Sequence, residues 1–158
     1  MRGKRTTTGA AVLVGALAVT GLAFAPTAAA VTPTTATINA SCGLFGGGAA
    51  TLTATQSGTS ATITLSSTAI KTPLALDADS ITSTLTMVKA SGGTTVFSGK
   101  KNPAMAANSP VTVGPLSGTV ASGDSLEFFG GSLKMTIFGI SVTCTASAKQ
   151  APGPFVFA

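Results

Sequence analysis

An all-β body, a single antiparallel β-sandwich of immunoglobulin-like or Greek-key type stapled by one disulfide, is what this chain predicts, on three observations. Apolar residues recur with period two in short runs, the spacing that places them on one face of a strand. Clusters of Gly, Pro, Asn and Ser separate these runs at intervals suited to tight turns. Cys42 and Cys144, the only cysteines, stand near opposite ends of the part expected to fold.

The first element is not part of that body. Met1-Arg2-Gly3-Lys4-Arg5 is basic, Gly9 to Ala25 is uncharged and mostly apolar, and Ala28-Ala29-Ala30 supplies small residues, which is the order of an export signal. Cleavage is expected after Ala30, with Ala25 as second choice. A signal peptide of residues 1–30 then precedes a secreted, extracellular domain of residues 31–158. The apolar run is short and rich in Ala and Gly, which is weak for a membrane span, so no span is expected in the mature chain.

Each strand follows from its alternation. Ile38, Ala40 and Cys42 share the inward face of the first; Leu52 and Ala54 mark the second; Ala61, Ile63 and Leu65 the third; and Ile81, Leu85 and Met87 the next. Thr fills most positions between them, and a β-branched hydroxyl residue suits the wet side of a strand. Val111 and Val113 form a shorter run ended by Gly114-Pro115. Turns are expected at Gly46-Gly47-Gly48, Ser57-Gly58, Ser91-Gly92-Gly93, Asn102-Pro103, Ser109-Pro110, Ser122-Gly123-Asp124 and Gly130-Gly131. Pro103-Ala104-Met105-Ala106-Ala107 suits at most one helical turn. Leu133, Met135 and Ile137 occupy odd positions whereas Phe138, Ile140, Val142 and Cys144 occupy even ones, so a bulge or bend is expected at Ile137-Phe138-Gly139. The tail Phe155-Val156-Phe157, after Pro152-Gly153-Pro154, reads as an edge strand on its own domain or as an addition to a partner's sheet.

An even number of cysteines in an exported chain predicts the Cys42–Cys144 disulfide. Closing a loop of about a hundred residues stabilises a fold by up to about 4–5 kcal/mol on the chain-entropy model. The pair is too far apart in sequence for thioredoxin-like chemistry, and a structural zinc site wants four Cys or His ligands where this chain has no His.

Three segments, Ser41-Cys42-Gly43-Leu44, Ser109-Pro110-Val111-Thr112-Val113-Gly114-Pro115-Leu116 and Val142-Thr143-Cys144-Thr145, together with the Ala-rich signal, give a layout that resembles small secreted β-sandwich proteins of actinobacteria. The resemblance covers most of the mature chain and implies a fold, with no activity, cofactor or site residues to carry over.

Charge and inventory bound the function. The whole chain carries a formal +5, but beyond Ala30 only six lysines face Asp77, Asp79, Asp124 and Glu127, a balance of +2 without any arginine. Nucleic-acid binding, which rests on clustered Lys and Arg, is not expected. Without His there is no ordinary Ser-His-Asp or Cys-His arrangement, so catalysis is not expected; a carboxylate pair drawn from the four acids is the one formal route to hydrolysis. Asp77-Ala78-Asp79 reads as a solvated turn rather than half of a calcium site, and neither metal nor cofactor is predicted. The candidate partner surface comprises Lys100, Lys101, Phe128, Phe129, Phe155 and Phe157; Phe128 and Phe129, adjacent on a strand, must face opposite sides, so one of them is expected to be exposed or covered by another segment, and core packing is the plainer account of the pair. The expected function is a non-catalytic binding module for a protein or cell-envelope partner. The alternatives are a carrier of a small apolar ligand and an inhibitor of an extracellular hydrolase acting through the loop from Lys100 to Ala107.

Overall fold

The computed structural model describes residues 30–158; residues 1–29, which carry the export-signal reading, lie outside the described residues. Nine strands follow: β1 (Thr35–Ser41), β2 (Gly47–Ser57), β3 (Ser60–Lys71), β4 (Thr82–Lys89), β5 (Thr94–Lys100), β6 (Pro110–Thr119), β7 (Ser125–Ile137), β8 (Ile140–Ala146) and β9 (Phe155–Val156). A 3-10 turn at Gly43–Phe45 joins the first two. The expected alternation holds in each run: Ile38, Ala40 and Cys42, Leu52 and Ala54, Ala61, Ile63 and Leu65, and Ile81, Leu85 and Met87 are all buried.

The sheet is not the predicted sandwich. Strand order runs β4-β5-β6-β3-β2-β1-β8-β7, and β4 pairs with β7 as well as β5, so eight antiparallel strands close into a barrel. Two overlapping Greek keys build it: β4-β5-β6 are sequential neighbours, β3 returns beside β6, and β7 returns beside β4. Alternation assigns one dry and one wet face to each strand, a condition that a sandwich and a barrel satisfy equally; strand bending decides between them.

The bends come from glycines that the sequence reading placed elsewhere. Gly114-Pro115 does not end a strand but sits inside β6, where Gly114 adopts φ 115° and the pairing with β3 slips between Ile63 and Leu65. Gly130-Gly131 is not a turn but a bulge within β7, where the pairing with β4 slips between Thr86 and Val88. A Cβ at Gly131 would run into the Thr86 carbonyl oxygen. This bulge moves the buried positions of β7 from even (Leu126, Phe128) to odd (Leu133, Met135). The later parity change, read as a bend at Gly139, is a two-residue hairpin turn, with Ile137 paired to Ile140. Pro103 to Ala107 forms no helix; Met105 pairs instead with Leu76.

Because neighbours alternate in direction, the β1–β2, β3–β4, β5–β6 and β7–β8 connections share one end of the barrel, here the upper end. The other connections and β9 lie at the lower end. The interior is packed with Leu85, Met87, Phe97, Phe128 and Leu133 among others, while β1 and β2 contribute the small Ala36, Ala40, Ala50 and Ala54. Thr35, Thr37, Thr51, Thr53 and Thr55 face outward, the reverse of a membrane-spanning barrel, which turns apolar residues to lipid. No helix among the described residues is long and apolar enough to cross a membrane.

Two barrel seams are thinly paired: β5–β6, with the single ladder pair Ser98↔Ser117, and β1–β8, with two, Ala40↔Ala146 and Ser41↔Thr145. The Cys42–Cys144 disulfide lies beside the β1–β8 seam. It therefore fastens the closure of the barrel as well as the two ends of the chain.

The C-terminal segment seals the lower end. β9 pairs with the start of β7, Phe155 and Phe157 are fully buried, and the Gln56 side-chain amide pairs with the backbone of Ala158, at 2.7 and 3.0 Å. The tail thus docks on its own domain, the first of its two expected placements.

The open end of the barrel as candidate site

The upper end is finished differently. Here the crossover from β3 to β4 spans residues 72–81 and is pinned by Asn102, only 5 % exposed. The Ser80 and Ile81 N–H groups donate to Asn102 Oδ1, and its Nδ2 donates to the Asp77 and Pro103 carbonyls, all at 2.8 Å. Leu76 and Met105 add two backbone bonds of 2.8 Å each. The crossover thereby becomes a wall.

Between this wall, the Gly43–Phe45 turn and the β7–β8 hairpin lies a cavity of about 120 Å³. Ile70, Leu76, Ile81, Met135 and Val142 form its depth, while Phe45, Leu74, Phe138 and Ile140 stand exposed at its rim. Thr72 also lines it, but its hydroxyl donates to the Ala106 carbonyl at 2.7 Å. The one charged lining residue is Lys71. An engineered apolar cavity of about 150 Å³ stays dry and accepts benzene, so this space suits a group of that order.

Phe138 is the most unusual residue there. It adopts φ 51° with Gly139 at φ 78°, positive at both central positions of the hairpin, as a type I′ turn requires. Asn-Gly is the favoured pair for such a turn, and a bulky residue in left-handed backbone is strained by about 1–2 kcal/mol. A large aromatic is held there nonetheless, 69 % exposed and against the cavity.

The predicted partner surface does not assemble. Phe128, Phe155 and Phe157 are fully buried, because β7, β9 and the tail turn them into the core, so they offer no surface. Phe129 is 42 % exposed and lines a separate hollow of about 340 Å³ with Val88 and Pro154, among Lys89, Glu127 and Lys149. Lys100 is exposed near the upper end, and Lys101 faces Asp79 at 3.3 Å. The segment from Lys100 to Ala107 is anchored by buried Asn102 and Met105.

The four carboxylates separate into two pairs. Asp77 and Asp79 sit on the upper crossover, Asp124 and Glu127 at the lower end. The Ala121 N–H, donating at 2.9 Å, holds the Asp124 carboxyl below the ordinary aspartate range; partial burial opposes this and Lys89, at 3.0 Å, adds to it. Glu127 accepts from the backbone of Gln150 at 2.9 Å and Phe129 at 3.3 Å. Among the described residues no group of three His, Cys, Asp or Glu side chains is placed to hold a metal.

The mouth escaped the sequence reading because its residues come from four separate segments. One signal was present: reading Phe138-Gly139 as a hairpin tip rather than a bend puts an aromatic on an exposed turn. No family model, curated protein or solved structure matches the chain, so the resemblance to secreted actinobacterial proteins rests on the quoted segments alone.

Proposed function

We propose that this chain is an exported, non-catalytic carrier that holds a small apolar group in the upper mouth of its barrel. The carrying observation is the contrast between the two ends: the lower is closed by Phe155, Phe157 and the tail, whereas the upper leaves an apolar cavity rimmed by exposed Phe45, Leu74, Phe138 and Ile140. Eight-stranded barrels have interiors just wide enough to be filled or to hold one small ligand. Here filling and an opening coexist, and strain retained at Phe138 is the kind of local departure that clusters at binding sites. Export is supported by the basic, apolar and small-residue order of residues 1–30 and by a disulfide that suits an oxidising compartment.

The test is methyl NMR of the purified, oxidised protein titrated with 1-hexanol. Saturable shifts confined to Ile70, Leu76, Ile81 and Val142 are expected. Phe138→Asn, which suits the turn and so keeps the fold, should weaken binding several-fold. Absence of shifts in the wild type, or an unchanged Phe138→Asn affinity, overturns the reading.

A second reading, docking of an apolar partner surface, is favoured by Leu44, which is fully exposed beside the rim yet outside the cavity. A partner recovered from culture medium and lost on Leu44→Ser would support it.

A further inference from the structure

Resting on the carrier reading, we infer that the mouth selects single-chain anionic amphiphiles, an alkyl chain ending in a carboxylate, with the chain end in the cavity and the carboxylate on Lys71. Lys71 ends β3, lines the cavity and is exposed, the placement in which a lysine stem covers apolar surface while its ammonium stands in water at the rim. It makes no ion pair among the described residues, whose two salt bridges are Lys89–Asp124 and Lys101–Asp79.

No carboxylate lines the cavity to oppose an incoming anion. Asp79 on the same crossover is held by Lys101, and Asp77, though exposed, is not part of the lining. With the Thr72 hydroxyl already bonded to Ala106, the lining offers a ligand one unpaired side-chain group, and that group is cationic. A neutral alcohol would gain only the apolar contact. An alkylammonium would meet a like charge.

The cavity size sets the chain. A space of about 120 Å³ takes roughly the last five or six carbons, and the next few lie across Leu74 and Phe138 at the rim. Each buried methylene raises affinity about fourfold, so affinity should climb from butanoate to octanoate and then level off.

The experiment titrates the oxidised protein with octanoate, 1-octanol and octylammonium, following the same methyl groups at low salt. Octanoate should bind about tenfold tighter than octylammonium, with 1-octanol between them, and the spread should collapse at 1 M salt as an exposed ion pair is screened. Lys71→Glu, at an exposed strand end, should reverse the order, and Lys71→Arg should keep it. Equal binding of all three probes at the mouth, or an order unchanged by Lys71→Glu, overturns the ligand class and leaves the carrier reading standing. Failure of every probe to move these methyls overturns both.

Discussion

Replacing Asn102 by alanine tests whether one buried amide holds the crossover that walls the open end. Its side chain makes four hydrogen bonds of 2.8 Å, two accepted from Ser80 and Ile81 and two donated to Asp77 and Pro103. Each is worth about 0.5–1.5 kcal/mol net, and backbone groups left without a partner cost more than the mean. Water entering the vacated space recovers part of the loss. The expected destabilisation is about 3–4 kcal/mol, a large share of the about 5–15 kcal/mol that holds a domain.

The assay is urea unfolding with the disulfide intact. Far-UV circular dichroism is the suitable probe because the chain has neither Trp nor Tyr. Hydrogen exchange localises the effect: amides of Ser80 and Ile81 should lose protection, while Ile63, paired with Leu116 in the wall of the barrel, should follow only the global change. Since Leu74 and Leu76 ride on the same segment, binding at the mouth should weaken as well. A loss below about 1 kcal/mol, or unchanged protection at Ser80 and Ile81, would refute the keystone role.

Three further outcomes are expected. Gly131→Ala forces a Cβ against the Thr86 carbonyl and should cost about 2–4 kcal/mol in urea, while Gly153→Ala, with open space around it, should stay within about 0.5 kcal/mol. Cys42→Ala with Cys144→Ala opens a loop spanning a sequence separation of 102 and leaves the β1–β8 seam to its two ladder pairs, so stability should fall by about 3–5 kcal/mol in the same assay. Asp124 has a lowered folded-state pKa, so its contribution is present above the unfolded aspartate value and is lost as pH falls through the folded one. Asp124→Asn should cost about 1 kcal/mol at neutral pH and remove that share of the acid-side loss in a pH series of thermal melts.

Much of the fold was legible along the chain because period-two burial is a local property. Ala61, Ile63 and Leu65 face inward whatever β3 pairs with, since successive side chains leave a strand on opposite sides. The disulfide was legible for a different reason: two cysteines allow only one intramolecular pairing. By contrast, Gly130-Gly131 and Phe138-Gly139 exchanged roles between reading and structure. A glycine signals only that the backbone departs from the ordinary, and whether it bulges or turns depends on the strand beside it.

The sequence by itself determined an all-β body, the inward face of most strands, a covalent tie between Cys42 and Cys144, and a composition without histidine. Only the tertiary structure decided that the sheet closes as a barrel, that Phe128, Phe155 and Phe157 belong to the core, and that Phe45, Lys71, Leu74 and Phe138 meet around one opening. Alternation is fixed residue by residue, whereas closure and the opening depend on which distant strands share hydrogen bonds, a choice made by bulges and crossovers acting on the whole sheet.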